Sequence, residues 1–412
     1  MFRGHRRDWL KASSALSLGT IPAFVHRNSF ADSATAERPD GRVLVVIQMS
    51  GGNDGLNTVV PFQDEIYRKY RPNIALERDE LLRLSDTVGL HPSMRDAAEL
   101  VEDGRMAIIQ GVGYPNPNRS HDVSMAIWQS AILEDGVPRT HGWIGRAMDR
   151  LQNSKNRPSG VLGPSMVLLG DEAPPLALQS RRSTAITLSD IRELQLKQLP
   201  SRFGMCSDTQ QTVEVSNGLR AFIEKTAADA VMTAKAIDSS ELARKTEGTD
   251  YPGSKLGKKL QSIAQMIKSG FSAPVFYSIQ SGYDTHAAQA PTHSRLLRNF
   301  SGAVKAFLDD LERAGLADRV VVLGFSEFGR RVKENSSQGT DHGAAGPVFV
   351  AGRPVRSGLH GTMPSLADLV DGDIRMNMDF RQVYAKLIQD WFGLEGESSF
   401  PTSNEPLRLF RS

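Results

Sequence analysis

The chain of 412 residues has a single cysteine, Cys206, so no disulfide can form within it. A polypeptide of this length buries a core large enough to fold without such cross-links. Beyond the N-terminal region no stretch is long and apolar enough to span a bilayer, and that part of the chain is expected to be soluble. Charge of one sign is not in large excess: 49 Lys and Arg face 47 Asp and Glu. No basic stripe with interleaved aromatics occurs, which argues against a nucleic-acid partner. A dinucleotide fingerprint, a haem-attachment motif and a cysteine cluster are also missing, so an exported redox enzyme ranks last among the readings. No internal repeat is visible.

What is present begins at the N-terminus. Arg6-Arg7-Asp8-Trp9-Leu10-Lys11 resembles the twin-arginine export motif. A mildly apolar stretch follows over 12–25, interrupted by Gly19 and Pro22, and is too short to span a bilayer stably. Ala34-Thr35-Ala36 offers the small-residue pattern that signal peptidase cuts after. Residues 1–36 are therefore expected to be a signal peptide, with the twin-arginine translocase as partner and a periplasmic or secreted destination. That segment holds five basic and two acidic residues, which leaves 44 basic and 45 acidic in the mature chain. Its removal turns a net charge of +2 into one near −1. The resemblance implies export in the folded state, often with a cofactor already loaded.

The remainder, 37–412, reads as a single α/β domain. Val43-Leu44-Val45-Val46-Ile47 is a continuous apolar run, as in a strand buried on both faces, and it stops at Ser50-Gly51-Gly52-Asn53-Asp54-Gly55. A short helix is expected from His91 to Leu100, a strand at Met106 to Val112, and a helix from Ser120 through Trp128. Another strand fits Met166-Val167-Leu168-Leu169. The stretch from about 205 to 270 is polar and rich in Ala, Lys and Glu, and reads as a helical insertion or cover. The α/β rhythm then resumes with strands at 274–279, 319–324 and 347–351 and helices at 294–314 and 380–392. Alternation of this kind implies a three-layer sandwich around a mostly parallel sheet.

In open α/β sheets, functional residues gather where strands end at their carboxyl edge. Asp54 follows the first expected strand, and Arg119-Ser120-His121 follows the second. Asp284-Thr285-His286 follows the strand ending at Ile279; Ser326-Glu327-Phe328-Gly329-Arg330 and Thr340-Asp341-His342 follow the one ending at Gly324. Carboxylates and imidazoles in such a set suit one or two divalent ions, Zn, Mn, Mg or Fe. Plainer roles exist for each. Asp54 could brace a Gly-rich turn, and Ser120 could serve only as a helix N-cap. His286 and His342, taken singly, could be packed or surface residues, and Glu327 could pair with Arg330 or Arg331.

These motifs, in this order, resemble a large family of exported bacterial proteins, domain-of-unknown-function family 1501. Gly51-Gly52-Asn53-Asp54-Gly55-Leu56-Asn57-Thr58 and the C-terminal Asp379-Phe380-Arg381-Gln382-Val383-Tyr384-Ala385 carry the likeness too. That family is in turn similar to the alkaline phosphatase and sulfatase superfamily, which implies an alkaline-phosphatase-like fold and a role for each position. Asp54 would bind metal, Ser120 would be the nucleophile, and Asp284 with His286 would hold one ion. Glu327 and Phe328 stand where the superfamily has an Asp-His pair for the other ion, and Asp341-His342 would supply the missing imidazole. Arg119 would steady a phosphoryl or sulfuryl anion, and His121 would protonate the leaving oxygen or bind metal.

The expected function is therefore an exported metal-dependent hydrolase of phosphate or sulfate esters, acting on a small-molecule or polymer substrate. The competing reading is a metal-containing binding protein of the cell envelope without turnover. Glu-Phe in place of Asp-His favours the binding protein; a hydroxyl beside His121 at a helix start favours the hydrolase.

Overall fold

The strands of the sheet are uninterrupted apolar runs because helices cover both of its faces. In chain order they are β1 (Val43–Ser50), β2 (Met106–Gly113), β3 (Met166–Leu169) and β4 (Ala185–Leu188). There follow β5 (Val275–Ser281), β6 (Val320–Phe325), β7 (Gly346–Ala351), β8 (Gly358–His360) and β9 (Met378–Asp379). The computed structural model describes residues 41–153, 164–189, 250–271, 273–397, 399–401 and 407–411. The expected signal peptide, 1–36, and residues 190–249, which include most of the expected insertion at about 205–270, lie outside the described residues. The described residues fall in one unit, Gly41–Ser412. None of their helices is long and apolar enough to cross a membrane.

The nine strands are ordered β8-β2-β7-β6-β1-β5-β3-β4, with β9 also pairing β2. β1 is parallel to both β5 and β6, and only β7 runs antiparallel to its neighbours. Antiparallel to both β6 and β2, β7 leaves those two parallel to each other. The carboxyl ends of β1, β2, β5 and β6 therefore share one edge.

Side chains alternate across each strand, so each strand feeds two cores. Val43, Val45, Ile47 and Met49 of β1 face one; Leu44 and Val46 face the other. The first core is closed by α1 (Arg95–Glu102), α4 (Lys255–Lys268) and α5 (Gln289–Arg313). The second is closed by α2 (His121–Ser130), α3 (Trp143–Asn153) and α6 (Phe380–Lys386). The result is a three-layer α/β sandwich on a mostly parallel sheet, as expected.

Helix α4 shows the local logic. Ser254 caps it by accepting from the Gly257 amide, and Leu256, Leu260, Ile263, Ala264 and Ile267 recur at helical spacing on its buried face. Each fully buried Leu or Ile contributes about 1.5–3 kcal/mol, so an Asp at Ile263 would remove the reason for the helix to dock. This described end of the expected insertion is thus part of the first core. Helix α5 begins at Gln289 rather than at the expected Ser294. Pro291 is tolerated in the first turn, where amides lack intrahelical partners, and the buried Gln289 and His293 replace apolar residues on that turn's inner face.

Candidate metal centre

Four segments at the carboxyl edge build the centre. The loop after β1 turns sharply through Gly51 (φ +120°) and Gly52 (φ +76°). A Cβ at Gly51 would stand 2.4 Å from the Asp284 amide nitrogen, and one at Gly52 2.4 Å from the Phe328 ring, so glycine lets three loops close on one point. After β2, Ser120 occupies the N-cap of α2 and His121 its first turn. After β5 comes Asp284, then His286. After β6, Glu327 to Arg330 are pinned to the 341–344 segment: Gly343 N donates to Gly329 O at 2.9 Å and Arg331 N to Asp341 O at 3.0 Å.

Three imidazoles converge on one carboxylate oxygen. Asp284 Oδ1 lies 3.0 Å from His286 Nε2, 3.2 Å from His342 Nε2 and 3.4 Å from His121 Nε2. His286 Nε2 and His342 Nε2 are 2.9 Å apart. The other nitrogen of each ring meets an oxygen. His121 Nδ1 lies 2.8 Å from Glu327 Oε1, His286 Nδ1 3.1 Å from Asp341 Oδ1, and His342 Nδ1 2.7 Å from the Arg119 carbonyl. A carboxylate or carbonyl only accepts, so each of these contacts places a hydrogen on Nδ1, and in the tautomer that carries hydrogen on Nδ1 alone the Nε2 lone pair faces the cluster. His121 Nε2 is shielded from solvent and has no hydrogen-bond partner. The Phe328 ring packs 5.0 Å from the centroids of both His121 and His342 and walls off one side.

These residues fit a divalent ion. Lone pairs crowded at 2.9 Å repel unless a cation or a proton lies among them, and imidazole held by a second oxygen is the usual ligand arrangement. His121, His286, His342 and Asp284 would hold the ion; Glu327 and Asp341 would orient the rings. Such donors suit Zn, Mn or Fe.

Electrostatics support a charged Asp284. Burial alone would raise its pKa, but the Arg330 hydrogen bond and charge, with His342 and His286, bring it down to about 2. Arg330 is fully buried and donates to Asp284 Oδ1 at 2.6 Å, Gly52 O at 2.8 Å, Tyr283 O at 3.1 Å, Thr340 O at 2.8 Å, and to Gly51 O. It thereby ties the β1, β5 and β6 loops together. The hydrogen bond that His121 donates to Glu327 raises the His121 pKa against the opposing effect of burial.

Not every expected residue joins the centre. Asp54 is fully buried and held instead by Arg71 Nη1 at 2.6 Å and Gln289 Nε2 at 2.5 Å. Burial would raise its pKa, yet Arg71, His293 and Gln289 together lower it. Glu327 pairs with neither Arg330 nor Arg331. Its Oε1 accepts from Gly51 N at 2.9 Å as well as meeting His121, and its Oε2 accepts from Ser326 Oγ at 3.0 Å. The guanidinium of Arg119 is engaged by Asp373, with Nε 2.8 Å from Oδ2. Ser120 is exposed and its hydroxyl makes no capping bond. Sequence reasoning did not single out Arg71 or Gln289, and named Arg330 only as a pairing partner for Glu327. A buried arginine leaves no mark in sequence beyond an ordinary polar loop.

A mostly parallel sheet clad by helices on both faces, with an imidazole and carboxylate cluster at its carboxyl edge, defines a three-layer α/β protein with a candidate metal centre. The chain belongs to the family described as "Protein of unknown function (DUF1501)", whose model matches residues 42–400. No curated protein matches it. Among solved structures it is similar to the C-terminal periplasmic domain of EcEptC from Escherichia coli in complex with Zn, at 7% identity and TM-score 0.35, over 77% of this chain and 75% of that one. It is also similar to the PsFucS1 sulfatase from Pseudoalteromonas sp., at 10% identity and TM-score 0.38, over 88% and 70% of the two chains. A third is the TAB5 alkaline phosphatase, as a His 135 Glu mutant with Mg bound, at 9% identity and TM-score 0.37, over 78% and 94%.

Proposed function

We propose that this protein is a metal-dependent hydrolase of phosphate or sulfate esters, exported folded by the twin-arginine route to the periplasm or beyond. The observation that carries this reading is the convergence of His121, His286 and His342 Nε2 on Asp284 Oδ1, each ring anchored through its Nδ1. A divalent ion bound there supplies Lewis acidity and makes an oxygen nucleophile available near neutral pH. Ser120 offers that nucleophile: its hydroxyl is exposed, makes no capping bond, and adjoins His121 in sequence. As the N-cap of α2, Ser120 adjoins the first-turn amides, which lack intrahelical acceptors and suit an ester anion. His121, its Nε2 among the converging atoms, acts as a ligand rather than as the proton donor. The signal segment is 1–36 and the working domain 37–412, with an insertion near 205–270.

One observation favours the second reading, an envelope protein that binds without turnover: Asp373 engages the Arg119 guanidinium expected to grip the anion. Metal-loaded mature protein is to be assayed against aryl phosphates and aryl sulfates, beside Ser120→Ala. Hydrolysis that requires the metal and Ser120 supports the hydrolase. Full metal loading with no turnover of either ester class supports the binding protein.

A further inference from the structure

The donors at the carboxyl edge are numerous enough in sequence for two ions, but they separate in space. Asp284 and the three histidines form one group. Asp54 forms another, and its partner is already a cation. Arg71 and Asp54 have fully buried side chains. Every nitrogen of that guanidinium is used: Nη1 also donates to Asn57 Oδ1 at 2.7 Å, Nε to Val332 O at 2.9 Å and Nη2 to Arg331 O at 2.9 Å. An arginine does not lose its proton in a protein, so its charge cannot be withdrawn to admit a second cation. Arg330 likewise is fully buried and donates to Asp284 Oδ1 at 2.6 Å, the same oxygen the histidines approach.

We infer that the centre takes a single divalent ion, and that two buried arginines, Arg71 on Asp54 and Arg330 on Asp284, fill the inner side where further cations would otherwise go. The inference rests on the metal-centre reading above and deepens it. The one contrary feature is Asp54 Oδ1, which is buried without a hydrogen-bond partner. A lone oxygen beside a guanidinium is not a divalent site. Among the described residues the group of three His, Cys, Asp or Glu ligand atoms close enough to share an ion is His121, Asp284 and His342; His286 is outside it but touches two of its members, at 3.0 Å from Asp284 and 2.9 Å from His342, whereas Asp54 is outside it and paired with Arg71. An ordered water is the partner that suits Oδ1.

A consequence follows for the ion. Asp284 Oδ1 would divide its charge between Arg330 and a bound ion, and so would donate less than an unshared carboxylate. Such an ion would supply strong Lewis acidity to an anionic or oxygen ligand arriving from the solvent side. Asp284 and His286 both keep close to half of their side-chain surface open, at 46% and 44%, which leaves that side accessible.

The test is the stoichiometry and spin state of the Mn-loaded protein. Elemental analysis and electron paramagnetic resonance are to be run on wild type, Asp54→Asn and Asp284→Asn. The inference predicts about one equivalent with an isolated-ion spectrum, retained in Asp54→Asn and lost in Asp284→Asn. Two equivalents with the exchange coupling expected of ions ~3.5–4 Å apart would overturn it while leaving the metal-centre reading intact. Protein that takes up no ion would overturn both. Should Asp54→Asn fail to fold, the wild-type stoichiometry and spectrum decide.

Discussion

His286 Nε2 and His342 Nε2 face each other at 2.9 Å, and neither ring is free to turn away. His286 is held through Nδ1 by Asp341, and His342 through Nδ1 by the Arg119 carbonyl. A contact this short needs a proton or a shared cation between the two nitrogens, which makes these two residues direct reporters of metal binding.

Glu327 accepts from His121 Nδ1 at 2.8 Å, and in the proposed centre it would orient that ring without binding the ion. Glu327→Ala is expected to weaken metal affinity about 10–100-fold, the usual cost of losing an orienting partner. Glu327→Gln keeps an oxygen that accepts from Nδ1 and is expected to stay closer to wild type. Competition with a chromophoric chelator measures both. A wild-type affinity in Glu327→Ala would remove Glu327 from the centre.

Ser120 is exposed, so replacing it leaves the fold and the ion in place. Ser120→Ala should retain full metal content and lose at least about 10³-fold in ester hydrolysis, as expected when a nucleophile is removed. Unchanged turnover in that variant assigns the nucleophile elsewhere.

The Asp54 and Arg71 pair is a matter of stability. Asp54→Ala leaves a buried guanidinium uncompensated, at a cost of about 3–5 kcal/mol, read from denaturant unfolding. The double variant Asp54→Leu/Arg71→Met removes both charges and should lose less than the two single losses combined. Additive losses would show that the two charges are not energetically coupled.

Two buried histidines set a pH dependence. Burial pushes His293 down to about 4, and burial with the nearby His293 pushes His91 down to about 3, from 6.5. Between these values and 6.5 the unfolded chain binds protons that the folded chain does not, so stability rises with pH. The contribution is complete above the unfolded value and is lost as pH falls through the window from 6.5 toward 4 and 3. For His293 alone it is of order 3 kcal/mol. His293→Asn should flatten the slope of unfolding free energy across that window, and an unaltered slope would contradict the assignment.

Much of this was legible in the residues. The apolar runs of β1, β2, β5 and β6 announced strands buried on both faces, and the groups that follow them are indeed gathered at one edge. Asp284, His286, His342 and His121 were named from that position alone, and they meet. The antiparallel course of β7 was not legible, because a strand of six residues clad on both faces has the same composition in either direction. The pairing of Asp54 was hidden for a different reason. Its partner Arg71 follows it by 17 residues in an ordinary polar stretch, and only packing shows that the guanidinium reaches the carboxylate. The early start of α5 was hidden by Gln289 and His293, polar residues that are buried because they serve Asp54 and Asn53.

The measurement that tests the central claim most directly is anomalous diffraction at the absorption edge of Zn or Mn, from crystals grown with that ion. The account predicts one peak within about 2.0–2.2 Å of the Nε2 atoms of His121, His286 and His342 and of an Asp284 oxygen. No peak at that point, or a peak on Asp54 instead, would contradict it.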